Sequence, residues 1–405
     1  KNKTRGLKTY EHLSDLPFTT KQDIRDAQAV LTQTEPFGRN QSVNQEEIIQ
    51  SVCSSGTTGS PMYYALTRKD LDVWVDGIAN TFYTTGIRAD DMVAHLVSLP
   101  MVAGGMSYAD GFRKIGATLC WLGGFPKERI LREMGRLHIT AMLATTSFGV
   151  HLAEEMQSGS SNTDEINIKK YLSGGEPGLA QPKIRQKIEE GLGVKHIREM
   201  MGLGDVMSAM WGECEMQNGM HFNAQRYVAI ELIDPETCET LPMNEGAVGE
   251  VVYTTFEREA TPLLRYRSRD HMQLIGSDCA CGRTSPKFQC IGRTDDMIIY
   301  KGMNIFPTAI REFVMKQFGG QVEPQLRIWK DHAHQVKFDT PIPLEIEASS
   351  KISSKSYPEL ANDISNKIRQ HMQVRTDVKI LPPASFPRSS YKTPLVYVRE
   401  PGSKK

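Results

Sequence analysis

The chain has 405 residues, with 48 Lys+Arg against 48 Asp+Glu and seven cysteines. Its length predicts more than one structural unit, because single cores stop growing at about 250–300 residues. Balanced charge excludes an obvious nucleic-acid binder, the most apolar stretch (Met92 to Met106) is too short and interrupted to span a bilayer, and seven scattered cysteines make no disulfide framework.

Lys1-Asn2-Lys3 lacks the order of a signal peptide, and a cytoplasmic protein is expected. Residues 21–50 carry helix-favouring polar sequence around scattered apolar positions. Ile48 to Cys53 is a short strand-like run, and Ser54-Ser55-Gly56-Thr57-Thr58-Gly59-Ser60-Pro61 follows it. Glycines let successive N–H groups turn toward one spot, and small hydroxyls add donors without bulk. Such a loop suits a phosphate chain at the edge of an α/β sheet. It lacks Walker spacing, so γ-phosphoryl transfer is not implied. Composition alone also allows a polar linker.

Short apolar runs at Met92–Val97, Ala117–Trp121 and Ala141–Thr145 alternate with helical patterns at Lys127–Leu137 and Gly149–Met156. That alternation predicts a largely parallel sheet covered on both faces. Ser158 to Glu165 reads as a surface loop, and Tyr227 to Tyr253 as an antiparallel β-rich subdomain. Cys214, His221, Cys279 and Cys281 make three thiols and one imidazole, a closed tetrahedral set appropriate to structural zinc. Buried cysteines acting as small hydrophobes are the alternative. After Asp295 the texture becomes helix at Pro307–Phe318, strand at Leu344–Ala348 and helix at Tyr357–Val374, a compact α+β unit.

Several motifs in order resemble the adenylate-forming enzymes, and within them phenylacetate–CoA ligases and related aryl-acid ligases. The phosphate loop carries the resemblance together with Leu13 to Lys21, Ser173-Gly174-Gly175-Glu176-Pro177, Arg265-Tyr266-Arg267-Ser268-Arg269-Asp270 and Gly292-Arg293-Thr294-Asp295. It implies an α/β fold. A large N-terminal domain (1–294) would hold α/β subdomains, a β-rich subdomain, the loop, the acid pocket and the zinc site. A small mobile α+β lid (295–405) would carry the catalytic lysine.

By the same resemblance, Ser54, Ser55, Gly56, Thr57, Thr58 and Gly59 hold ATP phosphates, Gly174, Gly175, Glu176 and Pro177 lie against adenine, and Asp270 and Arg293 hold the ribose. Met201-Gly202-Leu203-Gly204-Asp205 stands where relatives carry an aromatic-Gly-x-Ser/Thr-Glu motif. Met201 would therefore pack on adenine, and Asp205 would be the catalytic carboxylate facing Mg²⁺, one methylene shorter. Lys392 would bridge the acid carboxylate and the α-phosphate, although Tyr391 replaces the usual preceding glycine. Asp295 would be the hinge, Gly302 would leave room for the pantetheine arm, and Met101, Gly105 and Phe148 would line the acid pocket.

The expected activity is ATP-dependent conversion of a carboxylic acid to acyl-AMP, then to a CoA thioester, with ATP, Mg²⁺ and CoA required and Zn²⁺ structural. Other acceptors kept open are a carrier-protein pantetheine, an amine, or a deazaflavin hydroxyl that is itself adenylated. The rivals from other classes are a metallohydrolase and a zinc-stapled nucleotide-binding protein without ligase activity. A filled four-ligand set argues against hydrolytic zinc. The expected partners are small molecules, with no nucleic acid and no membrane, and a homodimer is left open.

Overall fold

The computed structural model describes residues 10–54, 62–97, 101–157, 166–175, 179, 182–293, 298–300, 303–332, 335, 337–387 and 393–399. Helix α1 (Lys21–Gln28) opens on a capping box, Thr20 Oγ1 accepting from Asp23 N while the Asp23 carboxylate accepts from Thr20 N. Strands β1 (Gln50–Cys53) and β2 (Tyr63–Leu66) then pair as an antiparallel hairpin in a sheet of their own. The 54–61 segment therefore joins two hairpin strands instead of leaving the edge of the large sheet as expected. Apolar Val52, Tyr64 and Leu66 bury this hairpin against the main core.

The large sheet has twelve strands. They are β3 (Met92–His95), β4 (Thr118–Trp121), β5 (Ala141–Ala144), β6 (Lys170–Gly174), β7 (His196–Leu203), β8 (Met207–Glu213), β9 (Met220–Phe222), β10 (Val228–Ile233), β11 (Thr240–Leu241), β12 (Val248–Thr255), β13 (Tyr266–Gly276) and β14 (Lys287–Arg293). Their spatial order is β11-β10-β12-β13-β14-β9-β8-β7-β6-β5-β3-β4. From β4 to β7 every pairing is parallel, and from β7 to β11 every pairing is antiparallel. The β-rich region thus continues the parallel half as one sheet, because β8 and β9 hydrogen-bond the two textures together.

Helices α2 (Arg68–Thr84) and α3 (Met106–Ile115) cover one face of the parallel half, while α4 (Lys127–Arg136), α5 (Thr146–Gln157) and α6 (Pro182–Leu192) cover the other. Successive residues of a strand serve the two cores in turn. Val93, Leu143 and Leu172 pack with Phe82 and Phe112, while Ala94, Met142 and Tyr171 pack with Leu131 and Ile188. Strand side chains alternate faces, so short apolar runs without polar gaps are what a doubly covered parallel sheet requires.

Beyond β14 lie β15 (Ile298–Tyr300), β16 (Met303–Ile305), α7 (Pro307–Phe318), β17 (Val322–Lys330), β18 (Lys337–Phe338), β19 (Ile342–Ala348), α8 (Tyr357–Met372), β20 (Thr376–Leu381) and β21 (Val396–Val398). Ile310, Val314, Ile328, Leu344, Ile364 and Ile368 give this C-terminal unit a core of its own. No helix among the described residues is long and apolar enough to cross a membrane.

Candidate functional site

The hairpin fixes Ser54, where the expected phosphate loop begins. Ser54 N donates to the Met62 carbonyl at 2.9 Å, and Met62 N donates to Ser54 Oγ at 3.2 Å. Cys53 N reaches the Met101 carbonyl at 2.8 Å, and Ala103 N the Cys53 carbonyl at 3.2 Å. On the third side Gly204 lies so near that a Cβ there would stand 3.1 Å from Ala103 Cβ and 3.7 Å from Ser54 Cα. Ser54, Met101, Gly105 and the Met201–Asp205 turn are thereby brought to one place. Residues Ser55, Gly56, Thr57, Thr58 and Gly59 of the loop lie outside the described residues, as do Glu176, Pro177, Asp295, Gly302 and Lys392.

Asp205 is buried on the inner side of that turn. Tyr64 Oη donates to its Oδ1, Tyr266 Oη donates to Oδ2 at 2.7 Å, and Lys21 Nζ stands 3.8 Å from Oδ2. Burial, reinforced by the Asp205 charge, pushes both phenol pKa values up, so the tyrosines remain protonated donors. Arg258 Nη1 donates to the carbonyls of Asp205 and Val206, holding the turn from below. Sequence reading missed Tyr64 and Arg258, and quoted Lys21 and Tyr266 without a role. Tyr64 stands 141 positions from Asp205, and no local spacing announces these contacts. This donor set anchors Asp205 and is not a metal cage. A carboxylate has further lone pairs, which suits outer-sphere contact with a hydrated Mg²⁺ that keeps most of its own waters.

Asp270 and Arg293 are register partners across β13 and β14, with Arg293 Nη1 donating to Asp270 Oδ1 at 3.0 Å. The other arginines of that stretch are engaged elsewhere. Arg265 forks onto Glu231 at 3.1 and 3.0 Å, and Arg267 forks onto Glu250 at 3.0 and 2.8 Å. These buried forks fasten the start of β13 to β10 and β13 itself to β12. The arginine side chain is 36% exposed against 9% for the aspartate, so the pair reaches the surface at its cationic end.

Gly174 ends β6 with no room for a side chain, since a Cβ would stand 3.0 Å from the Met200 side chain. Gly175 follows at φ 90°, a backbone that favours glycine. Met201 is half-buried, paired with Trp211 across β7 and β8. Of the three proposed acid-pocket residues, Phe148 lies apart from Met101 and Gly105. Met101 is exposed, and Gly105 caps α3 with its carbonyl 2.9 Å from His95 Nε2. Phe148 is packed in the core under α4–α6. Nearby, Thr146 and Ser147 line a cleft with Arg311, Gln325, Leu326 and Thr393 of the C-terminal unit, Thr393 being the residue after Lys392.

A second cluster sits at the junction of β9 with β14. Ligand atoms of Cys214, His221, Cys279 and Cys281 all lie within 4.8 Å of one another. Cys214 Sγ is 3.7 Å from Cys279 Sγ, and Cys281 Sγ is 3.4 Å from His221 Nε2. Zn–S bonds of about 2.3 Å in a tetrahedron place sulfurs roughly 3.8 Å apart, so the set fits zinc. His221 Nδ1 lies 3.2 Å from the Ser285 carbonyl, a partner that fixes the ring with Nε2 toward the thiols. Burial lowers the His221 pKa, favouring the neutral ligand form, and pushes the Cys214 thiol up to about 12 without a cation.

Residues 302–398 match the family described as AMP-binding enzyme C-terminal domain. The chain is 31% identical over 407 aligned positions to the phenylacetate–coenzyme A ligase of Thermus thermophilus, covering 95% of this chain and 86% of that one. A crystal structure of 2-hydroxyisobutyryl-CoA ligase in the postadenylation state with 2-HIB-AMP superposes with TM-score 0.85 at 25% identity, covering 97% of this chain and 82% of that one. The same enzyme with 2-HIB-AMP and CoA in the thioesterification state gives TM-score 0.64 at 26% identity, covering 94% and 80%. Coverage is nearly equal, so the gap reflects conformation. The present arrangement is much nearer the postadenylation state.

Proposed function

The chain belongs to the phenylacetate–CoA ligase family of adenylate-forming enzymes, and we propose that it activates an aryl acid in two half-reactions on one site. In the first, the acid carboxylate attacks the α-phosphorus of ATP, the α–β anhydride bond breaks, and acyl-AMP and pyrophosphate form. In the second, a CoA thiol attacks the acyl carbon, AMP leaves, and the thiol proton passes to solvent. CoA is the acceptor in the curated relative and in the solved neighbour. That supports CoA over a carrier protein, an amine or a deazaflavin hydroxyl.

The observation that carries this reading is the convergence of Ser54, the Asp205 turn and the Met101–Gly105 segment on the sheet that also holds the Asp270–Arg293 pair. Asp270 has one oxygen on Arg293, and its carboxylate would accept from ribose hydroxyls, a charge-assisted contact. Gly174 and Gly175 would lie against adenine at the end of β6, Gly175 supplying a positive-φ turn there. Mg²⁺ carried on the ATP phosphates would supply charge neutralisation there, with Asp205 as the nearest carboxylate. Lys392 would bring two anions together and stabilise charge developing as pyrophosphate leaves. The domain beyond Asp295 would then turn, Asp295 acting as hinge, to bring Gly302 to the thiol side. The Cys/His set would hold one zinc ion as a staple between β9 and the 279–282 turn, away from the chemistry.

An acid panel tests the substrate class. Phenylacetate and other aryl acids should release pyrophosphate at kcat/KM well above 2-hydroxyisobutyrate and fatty acids. Preference for 2-hydroxyisobutyrate would move the chain toward the solved neighbour's substrate and overturn the aryl assignment.

A further inference from the structure

The large domain and the C-terminal unit meet along one face of α6. Lys183 and Lys187 lie one helical turn apart and project from the same side. Lys183 Nζ donates to the main-chain carbonyl of Lys316 at 2.8 Å, in the last turn of α7. Unsatisfied carbonyls at a helix C-terminus carry partial negative charge, so a lysine there is favourable. Gly319, just past that helix, is so close that a Cβ would stand 2.5 Å from Lys183 Cδ. One turn on, Lys187 Nζ lies between two carboxylates. Glu154 of α5 accepts at 2.9 Å from within the large domain, and Glu323 in β17 accepts from across the boundary.

We propose that Lys187 and Glu323 are positioning residues for adenylation. Their ion pair holds the C-terminal domain in the arrangement nearer the postadenylation state, which we take as the one in which acyl-AMP forms, and its opening is part of the turn toward the thiol. The inference rests on the two-step reading above and on the superposition that places this structure near the postadenylation state and away from the thioesterification state. A rotation of the C-terminal unit away from the large domain would part α6 from β17, and this ion pair would open with it.

The three-residue arrangement makes the pair holdable and releasable. All three side chains are partly shielded, at 27% exposure for Lys187, 28% for Glu154 and 17% for Glu323, so solvent screens the attraction less than at an open surface. When Glu323 leaves, Lys187 keeps Glu154 and Glu323 passes to water. Neither charge is left buried and alone, which is the circumstance that makes breaking an ion pair costly. An ordinary interdomain salt bridge would only add stability. A positioning pair must instead shift the two half-reactions unequally.

The test is single-turnover measurement of both half-reactions in the full-length protein, using whichever acid the panel identifies. Glu323→Gln, a neutral near-isostere, should slow acyl-AMP formation about fivefold, the upper scale for a partly exposed pair. Thioester formation from supplied acyl-AMP and CoA should be unchanged or faster. Lys187→Gln should behave alike, the double variant should be no worse than either single one, and Lys187→Arg should restore the wild-type ratio. Equal slowing of both steps, no slowing of either, or additive losses in the double variant would each overturn the assignment while leaving the ligase reading intact. Wild-type protein that forms no acyl-AMP with any acid would overturn both.

Discussion

The Cys/His cluster and the proposed nucleotide site draw on the same twelve-stranded sheet but are built on opposite plans. Four ligand atoms within 4.8 Å, drawn from the end of β8, from β9 and from one turn, make the cluster a closed set. The proposed nucleotide site would draw Ser54 from the hairpin, Gly174 from β6, Asp205 from the β7–β8 turn, and Asp270 with Arg293 from β13 and β14. Its support is the long-range Tyr64–Asp205–Tyr266 set with Arg258 beneath. A metal staple gains from being closed, since binding then contributes folding free energy. A site that must admit ATP, an acid and then a thiol has to be assembled from elements that can part. Damage to the first should appear as lost stability, and damage to the second as lost chemistry.

The largest expected effect is on the chemical side. Lys392→Ala should slow acyl-AMP formation by at least about a hundredfold, the scale of removing one transition-state electrostatic contact. Thioester formation from supplied acyl-AMP should change far less. Rapid-quench measurement of each step checks this, and equal losses would remove Lys392 from its role. Asp270→Ala should follow, raising KM for ATP by roughly tenfold or more, as expected for a charged hydrogen bond. KM for the acid should stay within about twofold. A rise in the acid's KM alone would separate Asp270 from the nucleotide.

On the stability side, the protein as purified should hold about one zinc per chain. Cys279→Ser should lower zinc content and lower Tm by about 5 °C or more, with pyrophosphate release retained below the new transition. Activity lost in proportion to metal while the fold persists would erase the distinction between the regions. Full zinc content in the variant would exclude Cys279 as a ligand.

The smallest effect lies under the pocket wall. His95 is fully buried, hydrogen-bonded to the Gly105 carbonyl, with its ring 4.8 Å from that of Trp121. Burial lowers its pKa to about 4, against about 6.5 in an unfolded chain. The unfolded state therefore binds the proton more readily. The stabilisation is complete above pH 6.5 and is lost as pH falls toward 4, by up to about 3 kcal/mol. Urea unfolding at pH 7.5 and pH 5 should show about 2 kcal/mol of this loss, and His95→Phe should flatten it. An unchanged slope in the variant would assign the pH dependence to other groups.

Period and spacing made the elements legible. The helix predicted over Pro307–Phe318 has those ends, and the run Ala141–Thr145 is β5 but for its last residue. Four ligands distributed as Cys–His and Cys-x-Cys sufficed to find the cluster, because thiols in polar turns have few other uses. Less legible was what depends on distant partners. The continuity of the twelve strands rests on β9 pairing with both β8 and β14, and Tyr64 reads locally as an ordinary strand residue. Phe148 shows the converse, since an aromatic near a ligand segment and an aromatic in a core look alike in sequence. Here it lies in the core.

The central claim is that the pocket makes a mixed anhydride from an acid and ATP. Exchange of labelled pyrophosphate into ATP, measured with zinc-replete protein and Mg²⁺, reads that step alone and needs no thiol. The account predicts exchange that requires an aryl acid, persists without CoA, and falls at least about a hundredfold in Lys392→Ala. Exchange independent of any acid, or none with any member of a broad acid panel, would contradict it.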